Sequence, residues 1–461
     1  MIWTGANDGP FHVTRDNGKT WTNITPKDLP AGGRVQWIEA SPHRKGSAYF
    51  ATYRYLLGDY QPYIYRTDDY GKTWTRLTDG KNGIPADWPT RVVREDPDRE
   101  GLLYAGTEFG MFISFDNGGQ WQSFQLNLPN VPITDIKVHR QDLIVSTQGR
   151  AIWIVDNVSA LHQLTPQVTP TSPTLFKARD GYRTRTNPDV LGPMIEYYLP
   201  SVPATPVAMD ILDAKGVTVN SYNSEAPAAR AGRSGGRGGG GAAAFVDADA
   251  PVLEGRIGGG GAVARVTKTE GLNRFVWDVR HQSGLPATPG SYQARLTVNG
   301  KTFTQPFTVL IDPRLAEEGL TTADLQEQFD HNTRMRALVA SVTRVVARVR
   351  EAQTRLRGAT GGDAEIARRV EAIAAKLLSE PARYGKPGLQ AHISYLAGMT
   401  TGVDQKIGRD AIARYEVLRK EFDAVTAEVE RVLGPASQEA GRAGTRETRL
   451  GSRRGSARGP R

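Results

Sequence analysis

Two hydrophobic periods divide the chain. Up to about residue 312, apolar residues fall in short β-branched or aromatic runs bounded by Gly, Pro, Asn or Asp, the pattern of turn-linked strands. From Thr321 the period lengthens to about three and a half residues, the signature of helices that bury one face. Thr321 or Thr322 is placed to cap a helix in which Met335, Leu338, Val342, Val345, Val349, Ala352 and Leu356 follow 3-4 spacing. Ile366, Val370, Ile373 and Leu377 predict a shorter helix, and 389–399 another. Ala411, Tyr415, Leu418, Phe422, Val425, Val429 and Val432 predict a long last one. Gly- and Pro-containing turns between these helices favour an antiparallel bundle within the chain over an intermolecular coiled coil.

The early strands repeat. Thr14-Arg15-Asp16-Asn17-Gly18-Lys19-Thr20-Trp21 returns as Thr67-Asp68-Asp69-Tyr70-Gly71-Lys72-Thr73-Trp74 and as Ser114-Phe115-Asp116-Asn117-Gly118-Gly119-Gln120-Trp121. The three Asp lie 53 and 47 residues apart, the length of one four-stranded propeller blade. Strands are expected at 35–41, 48–53, 63–67 and 73–77 around the second box. Around the third they are expected at 91–95, 102–106, 111–115 and 121–125. A fourth unit, at 133–138, 143–146, 151–155 and 161–164, has no box. The first unit starts at its second strand, 2–6, followed by the third at 11–14. About 3.5 blades do not readily close a ring that usually needs four to eight. The expectation is therefore the C-terminal portion of a longer protein.

Each box reads as a hairpin turn. The carboxylate accepts backbone N–H groups of its own loop, Gly supplies positive φ, and Trp covers the hairpin. Asp16, Gly18, Trp21, Asp69, Gly71, Trp74, Asp116, Gly118 and Trp121 are thus structural. Three equivalent copies, one per blade, do not converge on a single reaction centre.

A Pro/Thr linker at 166–173 leads into a second β region, 174–312. Strands are expected at 195–199, 207–212 and 217–220, with Asp213-Ala214-Lys215-Gly216 as a turn. Further strands at 293–298 and 302–310 are joined by Asn299-Gly300, a strong hairpin signal. About seven strands predict a β-sandwich with Trp277 as its core aromatic. Its Gly/Ala/Arg-rich stretch, 226–264, lacks the order of a phosphate loop and reads as a surface insertion. The domains are then a partial propeller (1–165), linker, sandwich, helical bundle (313–434) and a basic tail (435–461).

Composition narrows the chemistry. The absence of cysteine excludes disulfides, thiolate metal sites and a cysteine nucleophile. Of the net charge of +9, the segment 434–461 carries seven Arg against two Glu. This is a solvated tail with no aromatic platform, so no specific nucleic-acid partner is expected. No apolar stretch is long enough to span a bilayer, and the N-terminus lacks the features of a signal peptide. The seven His include no H-x-x-x-H pair and no nearby carboxylate cluster, so no metal or other cofactor is expected. Calcium on a loop stays open, since Asp and carbonyl oxygens suffice.

The boxes resemble those of bacterial neuraminidase-repeat, or Asp-box, propellers. Ile38-Glu39-Ala40-Ser41-Pro42, Val93-Arg94-Glu95-Asp96-Pro97, Gly101-Leu102-Leu103-Tyr104-Ala105-Gly106-Thr107-Glu108 and Gln148-Gly149-Arg150-Ala151-Ile152-Trp153 narrow the resemblance. They are similar to large bacterial proteins with sortilin-like propellers, often named glycosyl hydrolases. The resemblance implies an extracellular or periplasmic full-length protein. It also likens the second β region to immunoglobulin-like or fibronectin III-like domains.

Glycoside hydrolysis usually needs two carboxylates flanking one bond. Glu39, Glu95, Glu108, Asp135 and Arg150 are candidates for the lining of the propeller channel, with Tyr53 and Arg54 nearby. No spacing selects a pair, and Glu39 and Glu95 read as corresponding first-strand positions. The residues favour an exported scaffold whose propeller face binds a protein, peptide or glycan. The alternatives are a glycoside hydrolase with catalytic groups partly in further blades, or a broken gene product. No oligomeric state follows from the sequence.

Overall fold

Antiparallel meanders account for the chain up to Val155. The computed structural model describes residues 1–164, 171–184, 192–225, 266–382 and 384–435. The described residues fall into two compact units, one ending at Arg314 and the other starting at Leu315. Most of the expected linker, the whole Gly-rich insertion and nearly all of the basic tail lie outside the described residues.

The first sheet has three strands, β1 (Ile2–Gly5), β2 (Phe11–Thr14) and β3 (Thr22–Asn23). The second runs in sequence order through β4 (Arg34–Ala40), β5 (Ala48–Arg54), β6 (Asp59–Thr67) and β7 (Thr75–Arg76). The third repeats that order with β8 (Thr90–Glu95), β9 (Leu103–Thr107), β10 (Met111–Ser114) and β11 (Gln122–Ser123). A fourth sheet has only β12 (Ile133–His139), β13 (Asp142–Thr147) and β14 (Ile152–Val155). Its expected last strand at 161–164 is instead the end of a short helix, α1 (Ser159–Gln163). Without a box there is no hairpin turn to carry the chain back. Asn157, at φ 63°, turns it, and the Asn157 carboxamide oxygen accepts the Ser159 N–H that opens the helix.

The three boxes share one bonding scheme. Thr14 donates its hydroxyl to Asp16 (2.8 Å) and accepts the Gly18 N–H (2.9 Å), while the Thr20 N–H donates to Asp16 (2.9 Å). Thr67, Asp69, Gly71 and Thr73 repeat it at 2.9 Å throughout, and Ser114, Asp116, Gly118 and Gln120 at 2.8–2.9 Å. Hydrogen bonds from the Thr20 hydroxyl and N–H hold the Asp16 pKa down to about 2. The tryptophans, however, do more than cover their own turns. Trp74 donates its indole N–H to the Ile24 carbonyl at 2.6 Å, and Trp121 donates to the Leu77 carbonyl at 3.0 Å. Each acceptor lies three residues past the Trp of the preceding box. A Cβ on Gly71 would meet Ile24 at 2.6 Å, and one on Gly118 would meet Leu77 at 2.7 Å. The second and third boxes are therefore each clamped onto the sheet before them.

The second β region forms two sheets over one core. One holds β15 (Thr174–Leu175), β17 (Met194–Leu199) and β20 (Gly271–Val276). The other, in order, is β16 (Gly181–Arg183), β22 (Lys301–Ile311), β21 (Gly290–Val298), β18 (Ala208–Asp213) and β19 (Thr218–Asn223). Trp277 is fully buried, packed edge-on against Tyr292 and Phe307. The Asn299-Gly300 turn has positive φ at both residues, as expected of a two-residue hairpin.

After the five-residue helix α2 (Pro313–Glu317) come α3 (Thr322–Arg355), α4 (Gly362–Leu377), α5 (Leu389–Thr401) and α6 (Arg409–Leu433), which share one core. Thr321 caps α3 in a full capping box with Asp324. Val346 rather than Val345 is fully buried, because a straight helix turns at 3.6 residues and a strict 3-4 stripe drifts off its face. No described helix is long and apolar enough to cross a membrane.

His331 of α3 lies buried in that core, edge-on to Tyr415, and neither ring nitrogen has a hydrogen-bond partner. Burial, aided by the Arg334 charge and opposed by Glu327, pushes its pKa below 6.5. The unfolded chain therefore binds the proton more readily. Stability of the helical unit should fall as pH drops from 6.5 toward the lowered value, by at most ~1.4 kcal/mol per pH unit. Urea titrations followed by helical circular dichroism at several pH values check this, and His331→Phe is expected to flatten the slope.

Candidate functional site

The first strands of three sheets meet at one arginine. Each carries a β-bulge at the same step, between Val35 and Trp37, Thr90 and Val92, and Ile133 and Asp135. Counting from the bulge, Glu39 opposite Tyr49 corresponds to Arg94 opposite Tyr104, and not to Glu95. This corrects the sequence reading. Arg94 donates to Glu39 at 2.6 Å, to Asp135 at 3.0 Å and to the Ile136 carbonyl at 2.5 Å. Its guanidinium carbon stands 3.7 Å from the centre of the Trp37 ring. Burial raises the Glu39 pKa above 4.5 against the opposing pull of Arg94.

The other candidates are dispersed. Glu95, at the end of β8, is buried, with one oxygen accepting the Gly101 N–H and the other unpaired. Glu108 sits between β9 and β10, paired with Arg91 at 2.7 Å, and Arg91 also lies over the Tyr53 ring. Arg54 pairs with Asp59 and donates to three carbonyls of the 30–32 loop. Arg150 is exposed in the turn between β13 and β14. Glu39 and Asp135 share the guanidinium of Arg94, as Glu108 and Tyr53 share that of Arg91, so basic residues bring the candidates together. Aligning Pro42 with Pro97 would have revealed Arg94 as the counterpart of Glu39.

His162 does meet carboxylates, contrary to the sequence reading. Ligand-capable atoms of Asp96, Asp98 and His162 lie within 4.8 Å of one another. Both Asp96 oxygens are engaged, however, by the Asp98 and Arg99 N–H groups, the Tyr104 hydroxyl and His162. The cluster ties α1 to the third sheet.

A cavity of about 430 Å³ opens at the sheet ends opposite the boxes, lined by Tyr60, Asp87, Trp88, Phe109 and Asn130. Tyr60 is the second residue of β6, Asp87 and Trp88 precede β8, Phe109 turns between β9 and β10, and Asn130 precedes β12. The Trp88 and Phe109 rings are 5.3 Å apart and inclined at 57°, with Phe112 supporting Trp88 from within the third sheet. Among the described residues, the Asp87 carboxylate, Asn130 amide and Tyr60 hydroxyl have no protein partner. Sequence reasoning missed this site, since its residues come from four separate stretches.

No family model matches the chain. It is similar to a xyloglucanase. The oligoxyloglucan-reducing end-specific xyloglucanase of Emericella nidulans is 31% identical over 113 residues, which are 23% of this chain and 13% of that enzyme. Among solved structures, YCF48 bound to D1 peptide has a TM-score of 0.25 at 15% identity, over 44% of this chain and 57% of that one. The GH74 xyloglucanase of Xanthomonas campestris has a TM-score of 0.28 at 12% identity, over 43% and 31%.

Proposed function

We propose that the first four sheets are blades of an Asp-box β-propeller of the sortilin-like group, and that the chain belongs to an exported binding scaffold. A β-sandwich of immunoglobulin or fibronectin III type follows the blades, and a helical bundle follows the sandwich. The ligand, a protein, peptide or glycan, docks at the aromatic cavity. One contrast supports this reading. Glu39, Asp135 and Glu108 are held in ion pairs, whereas the polar groups of the cavity are free beside the half-buried Trp88 and the exposed Phe109 and Tyr60. Aromatic surface with a few convergent polar groups is the usual composition of a ligand site.

A second reading, glycoside hydrolase, has one observation in its favour. A buried carboxyl with a raised pKa suits a general acid, and Asp135 shares the guanidinium of Arg94 with Glu39. Peptide and glycan arrays separate the two. The full chain is expected to bind array members without shortening any glycan, and Trp88→Ala is expected to remove the binding. Glycan turnover that disappears in Glu39→Gln would overturn the scaffold reading.

A further inference from the structure

We infer that the aromatic cavity takes the cationic side chain, arginine or lysine, of a peptide segment; this rests on the cavity being the ligand site. The chain itself supplies the reasoning. Its inner strands twice place a guanidinium on an aromatic face with a carboxylate alongside. Arg94 lies over Trp37 and bonds Glu39, and Arg91 lies over Tyr53 and bonds Glu108. The cavity has the ring and carboxylate of that arrangement in Trp88, Phe109 and Asp87, and no Lys or Arg lines it. A cation is drawn to the negative faces of the rings and to the single unpaired charge.

Ring geometry favours a compact cation over a sugar. A pyranose stacks flat on one open ring, whereas two rings inclined at 57° make a corner that shields a small charged group from two sides. The Asn130 amide and Tyr60 hydroxyl are then available to the peptide backbone on either side.

The test uses the full chain and four probes followed by calorimetry and tryptophan fluorescence. These are a Gly/Ser pentapeptide with central arginine, its lysine and citrulline versions, and a xyloglucan heptasaccharide. Citrulline keeps the planar shape of arginine and removes its charge. The arginine and lysine peptides are expected to bind, and citrulline roughly threefold to tenfold more weakly. Asp87→Asn should bring arginine down to the citrulline level, and added salt should act in the same direction. Trp88→Ala should weaken binding at some cost in stability, because Trp88 also packs on the core, whereas Phe109→Leu, at an exposed ring, should weaken binding while thermal unfolding stays as in the wild type. Equal binding of citrulline and arginine, or arginine binding untouched by Asp87→Asn, overturns the inference. Heptasaccharide binding that Trp88→Ala abolishes, with no arginine binding, sinks the cationic ligand but spares the cavity as ligand site. Binding of no probe, with no array ligand sensitive to Trp88→Ala, defeats both.

Discussion

Arg94→Met is expected to destabilise the sheet-bearing unit by ~3 kcal/mol, because it leaves the Glu39 carboxylate buried without its counter-charge. The Arg94 and Glu39 side chains are only 16% and 17% exposed, so water replaces little of what is lost. The same substitution removes a donor from the Ile136 carbonyl and the cation from the Trp37 face. Asp135 adds less, since it is 44% exposed and water can reach it. The pH dependence fixes the cause. Glu39 has a folded pKa raised above 4.5, so its favourable protonation is fully present below that value and lost as pH rises through the folded one. Without Arg94 the rise should be larger, and the deficit of the variant should therefore shrink in acid. Adding Glu39→Leu to Arg94→Met should restore most of the stability, as replacing both members of a buried pair commonly does. Denaturant midpoints by tryptophan fluorescence measure all three. A single variant within ~0.5 kcal/mol of wild type would show that the ion pair is effectively solvated.

What the sequence revealed and what it hid follows the range of the interactions. The Asp box was legible because its bonds close within four residues, so Asp, Gly and the hydroxyl residue must recur together. The long helices were legible for the same reason, periodicity being local. The clamp between sheets was not, since the Trp74 acceptor is a main-chain carbonyl 50 residues away and carbonyls have no sequence signature. Arg94 escaped because the equivalence drawn between Glu39 and Glu95 passed over it, and a search for two carboxylates flanking one bond does not see a basic residue holding two of them. The Glu39–Glu95 equivalence failed for a related reason. The two first strands share a bulge, and a one-residue slip changes which face a side chain occupies. The cavity was hidden by topology, since Trp88 and Asn130 are neighbours only after the third sheet has folded.

The clamp makes the three boxes unequal, although their sequences are alike. Trp121 is 4% exposed and joins the core between the second and third sheets, whereas Trp21 is 45% exposed. Trp121→Ala should cost ~3–5 kcal/mol, the range for emptying a buried aromatic site, and should leave the Leu77 carbonyl without its donor. Trp21→Ala should stay within ~0.5 kcal/mol. The glycines offer an independent check. Gly18 and Gly118 have nearly the same backbone, φ 92° and 89°, so alanine strains both turns alike. A Cβ at position 18 meets nothing within 4 Å, while at 118 it drives into Leu77. Gly118→Ala should therefore be the more damaging by whatever the clash between sheets adds. If equilibrium unfolding instead found the first and third boxes equally sensitive at both positions, the box would be a device of its own hairpin alone. The difference expected between them rests entirely on the link from Trp121 and Gly118 to the sheet before, which Trp21 and Gly18 lack.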